Sequence, residues 1–141
     1  VEVWKHARES KSAYENVLGK HAARACAAMD KFASQCEIGS PRSKLLRGRC
    51  LEIAGDRKKA IAAYRTGLEQ ARELGLPFEE ALILYYRGIS AVGIAHQKRT
   101  YLQEAHGLFW RLRCRYYLDD LEKRLGMSPD SGKMSFSEMY R

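Results

Sequence analysis

The side chains that could perform acid–base chemistry are spaced in a way that argues against catalysis. Glu79 and Glu80 are adjacent, and so are Asp119 and Asp120. Neighbours on a helix point about 100° apart, so the carboxylates of each pair do not face one another and are typical of charges at helix ends. The histidines are scattered, and the sequence contains no glycine-rich phosphate-binding motif and no GxSxG motif. The sequence therefore predicts a protein that is not an enzyme.

The cysteines do not form a metal-binding pattern. They are separated by 10, 14 and 64 residues, without a CxxC pair or a histidine at zinc-finger spacing, and are Cys26, Cys36, Cys50 and Cys114. Cys26 and Cys50 lie among alanine, leucine and isoleucine residues, where a free thiol in a reducing compartment behaves as a small buried apolar side chain. We therefore expect no metal and no cofactor, and we expect these two thiols to be packing residues.

Length and charge define the broad class of protein. The 141 residues, 45% of them apolar and 30% charged, are typical of one globular domain that needs no disulfide to fold. There is no run of about 18 uncharged apolar residues, so we expect a cytoplasmic protein that does not enter the membrane. Lysine and arginine (25) exceed aspartate and glutamate (17), which gives a net charge of +8 and favours an acidic partner. The chain begins with Val1, which suggests a piece of a larger protein.

Apolar residues recur at helical spacing along residues 1–126, and no segment alternates with the period of a strand. The predicted helices are 13–35, 42–54, 57–74, 77–95, 101–113 and 116–125, with 37–41 and 96–100 as connectors. Short connections containing glycine or proline favour antiparallel helix pairs. The sequence therefore predicts an all-α domain over residues 1–126, followed by a flexible serine-rich tail over residues 127–141.

One helix pair shows small and aromatic residues at fixed offsets. Gly48 is followed by Ala60, Tyr64 and Gly67 at offsets of 12, 16 and 19. A second copy is stretched, because Gly88 and Ala105 are 17 residues apart, and it comprises Leu84, Gly88, Ala91, Ala105, Phe109 and Leu112. A third copy keeps only Ala28 and Phe32. The sequence therefore predicts about two and a half repeats.

These offsets resemble the tetratricopeptide repeat (TPR), in which small residues let two helices approach and an aromatic fills the hole between pairs. Lys44 and Leu51 depart from the usual tryptophan and tyrosine of the motif. The segments 71–81 and 105–125 are also similar to the helical arrays of MalT-like regulators and of ATPase-linked nucleotide cyclases. The resemblance implies a short right-handed superhelix with residues 116–125 as a capping helix, within a larger regulatory or signalling protein.

The resemblance also implies a function, because the first helices of such pairs line a concave groove. Carried over to this sequence, the groove residues are Arg42, Leu45, Arg49, Glu52, Tyr85 and Ile89. The main hypothesis is thus a scaffold-like protein–protein interaction module that binds a peptide or a neighbouring domain, with an acidic partner favoured. Arg49 stands where TPR proteins that clamp a carboxyl terminus have asparagine, which argues against that particular ligand.

Two alternative functions remain open. A basic stretch interleaved with aromatic residues could follow a nucleic-acid backbone, and its candidate residues are Lys98, Arg99, Arg111, Arg113 and Arg115. Alternatively, the apolar end of a short repeat array could pair with a second copy, which would make the chain a self-association module and a homo-oligomer.

Overall fold

A computed structural model describes residues 1–90 and 92–127 of the chain. Over these residues the chain forms seven α-helices, one short 3-10 helix and no strand, which confirms the predicted all-α class. The helices are α1 (Glu2–Glu9), α2 (Glu15–Gln35), the 3-10 helix (Glu37–Gly39), α3 (Ser40–Ala54), α4 (Arg57–Glu73), α5 (Pro77–Ile89), α6 (Ala95–Arg111) and α7 (Arg115–Leu125). The predicted tail lies outside the described residues except for Met127. No helix in the described part of the chain has the length and apolar character to cross a bilayer.

Local signals set the ends of the middle helices. α3 ends at Gly55, whose φ of 94° lies in the left-handed region that glycine adopts without strain. The carboxylate of Asp56 then accepts a hydrogen bond of 3.2 Å from the backbone N–H of Lys59, which caps α4. Pro77 begins α5, where its missing N–H costs nothing.

Besides shifts of one or two residues at helix ends and the 3-10 helix within the predicted connector 37–41, two parts of the chain differ from the predicted helices. α1 was not predicted, because it is short and buries only Ala7. The predicted connector at 96–100 is wrong, since these residues form the first turns of α6. The break lies earlier: Ser90 is extended, its hydroxyl accepts from the Val92 N–H at 3.1 Å, and Gly93 has a φ of 113°. α5 therefore stops at Ile89 rather than continuing to residue 95.

The core lies between α3 and α7. Consecutive helices from α3 to α7 are joined by two to five residues and pack on one another, so neighbours run antiparallel. The largest fully buried side chains come from each of these helices and are Pro41, Leu45, Tyr64, Ile83, Leu84, Phe109 and Leu121. α2 packs on α3 but buries only Ala22 completely. The first two helices are therefore more loosely attached than the rest.

Glycines allow close approach within both helix pairs. A Cβ added to Gly48 on α3 would lie 2.7 Å from the Tyr64 ring on α4. On α5, a Cβ at Gly88 would lie 2.5 Å from Leu102 on α6. Ala60 and Phe109, which were predicted to pack between the helices, are completely buried. In the first two predicted copies the small and aromatic positions that the structure describes are thus places where helices touch, with the exception of the exposed Leu112, whereas Ala28 and Phe32 of the third copy are exposed.

Candidate functional site

A cleft of about 240 Å³ opens where four helices meet. Its walls come from α1, α3, α4 and α5, together with the first residue after α5. We call it the cleft, and its lining residues are Lys5, Arg8, Glu9, Arg49, Glu52, Ile53, Tyr64, Tyr86, Ile89 and Ser90. Its floor is partly apolar and its rim is charged.

Helical spacing explains why α3 and α5 supply most of the cleft. Arg49, Glu52 and Ile53 are three and four residues apart, so they lie on one face of α3. Tyr86 and Ile89 are three apart on α5 and face the same space. Charged and apolar side chains therefore line the same opening.

Arg49 is the central cation of the cleft. Its guanidinium lies 4.0 Å from the centre of the Tyr86 ring, a geometry that is favourable because the ring face is electron-rich. It also forms an ion pair with Glu2 on α1. Only 12% of the Arg49 side chain is exposed, whereas 60% of Glu2 is. The arginine is therefore largely buried, whereas its carboxylate partner is largely exposed to solvent.

Tyr64 closes the inner end of the cleft. Its hydroxyl donates a 2.9 Å hydrogen bond to the Glu52 carboxylate. Burial, and then the neighbouring Glu52 charge, raise the pKa of Tyr64 far above its ordinary value, so the hydroxyl remains a donor. The bond fixes the Glu52 side chain between the floor of the cleft and α4 and ties α3 to α4.

A second group of aromatic side chains joins α5 to α7. The Tyr117 ring stacks on Phe109 at 4.5 Å and lies edge-on to Tyr85 at 5.4 Å. The Tyr85 hydroxyl donates to the Asp120 carboxylate at 2.8 Å. Burial raises the pKa of Tyr85 above the ordinary range of a tyrosine. These ring contacts and the Tyr85–Asp120 hydrogen bond hold α7 against α5 and α6.

The structure brings together three of the six residues predicted for the groove. Arg49, Glu52 and Ile89 line the cleft. The other three, Arg42, Leu45 and Tyr85, lie elsewhere.

Their positions have separate causes. The Arg42 guanidinium forms two hydrogen bonds, of 2.8 and 2.7 Å, with Glu79. Leu45 is 1% exposed and belongs to the core. Tyr85 points to Asp120 on α7. The Arg42 guanidinium and the Tyr85 hydroxyl thus already have hydrogen-bond partners within the chain.

Other lining residues were missed from the sequence. Ile53 lies four residues after Arg49, and Tyr86 lies three residues before Ile89, so helical spacing could have identified both. The α1 residues Lys5, Arg8 and Glu9 carried no signal, because α1 has almost no buried face.

The predicted basic surface divides into two groups. Lys98 and Arg99 lie in the first turns of α6, about 20 Å along the helix from Arg111 at its end. Arg113 lies in the turn before α7, and Arg115 begins α7. Within the described residues, Arg111, Arg113 and Arg115 form no ion pair and are exposed. The arginines around the α6–α7 turn are therefore available to a partner, but they do not continue into the cleft.

The cysteines differ from the prediction of buried packing residues. Cys26 and Cys50 are both partly exposed, and their sulfur atoms lie 2.9 Å apart. Across residues 1–90 and 92–127, no group of three or more histidine, cysteine or acidic residues is arranged to hold a metal ion.

Comparison with known proteins gives no match to a family model, to a curated protein or to a solved structure. Residues 1–90 and 92–127 therefore define the class by their fold alone: an all-α protein of packed helices that has a partly apolar cleft bordered by charges.

Proposed function

We propose that this chain is a non-enzymatic interaction module whose cleft binds a short peptide segment of another protein or domain. The segment would place an apolar side chain against Ile53 and Ile89 and an acidic side chain on Arg49. The observation that carries the proposal is the Arg49 guanidinium held over Tyr86 at the mouth of an apolar cleft. Aromatic and arginine side chains of this kind dominate the energy of many interfaces.

The size of the cleft supports a side chain rather than a cofactor as its occupant. Its volume of about 240 Å³ is below the range of roughly 300 to 1,000 Å³ that is typical of small-molecule sites. A large apolar side chain with part of its backbone requires less space. The remaining contacts would then form along the rim, where the charged residues lie.

The Glu2 contact supports an acidic residue in the partner. A carboxylate already pairs with Arg49 from α1, which demonstrates that an acid can reach the guanidinium in this geometry. The Glu2 side chain is 60% exposed, so a carboxylate of the partner could take its place on Arg49. A partner that also fills the apolar floor would gain in addition from burial.

We further propose that the helices stack as TPR-like pairs, within a larger cytoplasmic regulatory protein. The tight Gly48–Tyr64 contact and the complete burial of Ala60, Ala105 and Phe109 support this arrangement. In such a stack a groove that receives peptides is the usual binding surface.

A display selection with a random peptide library tests the proposal. Selection on the full chain should enrich peptides that combine one large apolar residue with a nearby aspartate or glutamate. An enriched peptide should bind Arg49→Ala at least about tenfold more weakly, a loss of roughly 1.4 kcal/mol measured by fluorescence anisotropy. Replacing exposed Arg99 by alanine serves as the matched control and should leave Kd within about twofold.

Two results would overturn the proposal. One is a selection that enriches no acidic–apolar peptide. The other is an enriched peptide whose affinity is the same for wild type, Arg49→Ala and Arg99→Ala. Circular dichroism melts of the two variants establish that each remains folded before affinities are compared.

The arginines at the α6–α7 turn favour a second candidate function, the binding of nucleic acid. Arg111, Arg113 and Arg115 are exposed beside Tyr116, whose side chain is 84% exposed and could stack on a base. Filter binding to single-stranded DNA over a range of salt concentrations tests this function. Binding that weakens steeply with salt and is lost when the three arginines are replaced by alanine would support it. No binding at about 50 mM salt would eliminate it.

The outer face of α2 favours a third candidate, self-association. Val17 and Phe32 are exposed by 52% and 48% on this helix, and Tyr14 just before it by 70%. Sedimentation velocity over a concentration series should reveal a dimer that Phe32→Asp abolishes. A monomer at every concentration would dismiss this function.

A further inference from the structure

Two cysteines from different helices meet at the surface between α2 and α3. The sulfur atoms of Cys26 and Cys50 lie 2.9 Å apart, although the residues are 24 positions apart in the chain. Both side chains are partly exposed, so small solutes can reach them. The other two cysteines within the described residues, Cys36 and Cys114, have no thiol neighbour of this kind.

The surroundings of the pair make its two sulfurs unequal. The hydrogen bond from Cys26 lowers the pKa of Cys50 to about 7, against the opposing effect of burial and with smaller contributions from the positive charges of the amino terminus and of Arg49. The same hydrogen bond, burial and the charges of Cys50 and Asp30 raise the pKa of Cys26. Cys50 is thus the sulfur that loses its proton more readily, as the attacking thiolate of such a pair does, and Cys26 is the second, resolving thiol.

We propose that Cys26 and Cys50 form a redox-active thiol pair that hydrogen peroxide converts into a disulfide between α2 and α3. The proximity of the two sulfurs and their access to solvent carry this inference. It is independent of the peptide-binding function, since neither cysteine lines the cleft.

The reaction has two steps. The Cys50 thiolate attacks one oxygen of hydrogen peroxide, forming an S–O bond as the O–O bond breaks, and the departing hydroxide takes up a proton to become water. The Cys26 sulfur then attacks the Cys50 sulfenic acid, an S–S bond forms and the S–O bond breaks. The departing hydroxide takes the Cys26 proton and leaves as the second water. Overall, two thiols are oxidised by two electrons and one peroxide is reduced to two waters.

The disulfide would change the weakest part of the fold. α2 has a single completely buried residue, Ala22, so it depends on few contacts with α3. A covalent link that closes a loop of 24 residues restricts the unfolded chain. Oxidation should therefore raise the thermal midpoint by about 10 °C, and reduction should reverse the shift.

Mass spectrometry of the full chain tests the proposal. The reduced protein is treated with one equivalent of hydrogen peroxide and should lose about 2 Da, the two hydrogens of the thiols. Digestion without reduction should yield one cross-linked peptide pair containing Cys26 and Cys50. Cys36→Ser and Cys114→Ser are the matched controls and should form the same link.

The order of the steps is tested with single variants. In Cys26→Ser the sulfenic acid on Cys50 has no resolving thiol, so dimedone should label Cys50; in Cys50→Ser, Cys26 should remain a thiol. Failure of the wild-type chain to form the link, or a link that instead involves Cys36 or Cys114, would overturn the proposal. Equal dimedone labelling of Cys26 and Cys50 in the two single variants would overturn the assigned order. The wild-type measurement decides the main claim even if a variant does not fold.

Discussion

Replacing Tyr64 by alanine is the most informative perturbation of the fold. The ring is 1% exposed, lies against Gly48 and fills the space between α3 and α4. Its hydroxyl also holds Glu52 in the cleft. The substitution therefore removes the contact on which both the helix pairing and the shape of the cleft depend.

The expected loss follows from burial. Truncating a fully buried aromatic residue costs about 3–5 kcal/mol, from lost apolar burial and the cavity that remains. Tyr64→Phe removes only the hydroxyl. Because the Glu52 carboxylate is partly solvated, we expect this substitution to lower the free energy of unfolding by only about 1 kcal/mol. For a domain of this size, Tyr64→Ala should lower the thermal midpoint by about 10–20 °C.

Urea and thermal denaturation followed by circular dichroism measure these losses. The matched control is Tyr116→Ala, because Tyr116 is 84% exposed and should change stability by no more than about 0.5 kcal/mol. If Tyr64→Ala were no more destabilising than Tyr116→Ala, the inferred packing of α4 on α3 would be wrong.

Two further predictions concern glycine positions and acid stability. Gly48→Val should lower the free energy of unfolding by about 1–3 kcal/mol, because even a Cβ at Gly48 would lie 2.7 Å from the buried Tyr64 ring. Gly107→Ala should instead raise it by about 0.5–1 kcal/mol, because nothing lies within 4 Å of the added Cβ. Equal effects of the two substitutions in urea denaturation would contradict this prediction. Burial alone would raise the pKa of Asp120, but hydrogen bonds from Arg124 and Tyr85 outweigh it and hold the pKa below its ordinary 3.8. The stability that this carboxylate contributes is therefore present above pH 3.8 and is lost as the pH falls through the lower folded value. Asp120→Asn should flatten the fall in stability below pH 4, and an unchanged pH profile would refute the assignment.

Local signals explain why much of the fold could be predicted. Gly55, Asp56 and Pro77 act through backbone geometry within a few residues, so the ends of α3, α4 and α5 nearest to them could be predicted from the sequence. The end of α5 at Ile89 depends on the extended Ser90, a residue with no strong preference for ending a helix. The basic residues 96–100 resemble a loop in composition, yet they form the first turns of α6, where the Lys98 N–H donates to the Ile94 carbonyl at 3.0 Å.

The candidate site was less predictable, because long-range partners decide which side chains are free. The sequence places Arg42 and Tyr85 on suitable helices. However, Arg42 is hydrogen-bonded to Glu79, 37 residues away, and Tyr85 is hydrogen-bonded to Asp120, 35 residues away. The resemblance to TPR repeats implied Arg49 as a groove residue, and Arg49 lines the cleft. Its contact with α1 could not be predicted, since α1 lacks the apolar ladder that identifies a helix in the sequence.

The central claim is that the cleft receives an acidic–apolar peptide. Nuclear magnetic resonance of the isotope-labelled full chain, titrated with a peptide enriched by selection, tests it most directly. We expect the largest chemical-shift changes to cluster at four lining residues, Arg49, Ile53, Tyr86 and Ile89. Glu2 should also be affected, because its ion pair with Arg49 is exchanged. Changes centred on Arg111 to Arg115, with the cleft resonances unmoved, would contradict the claim.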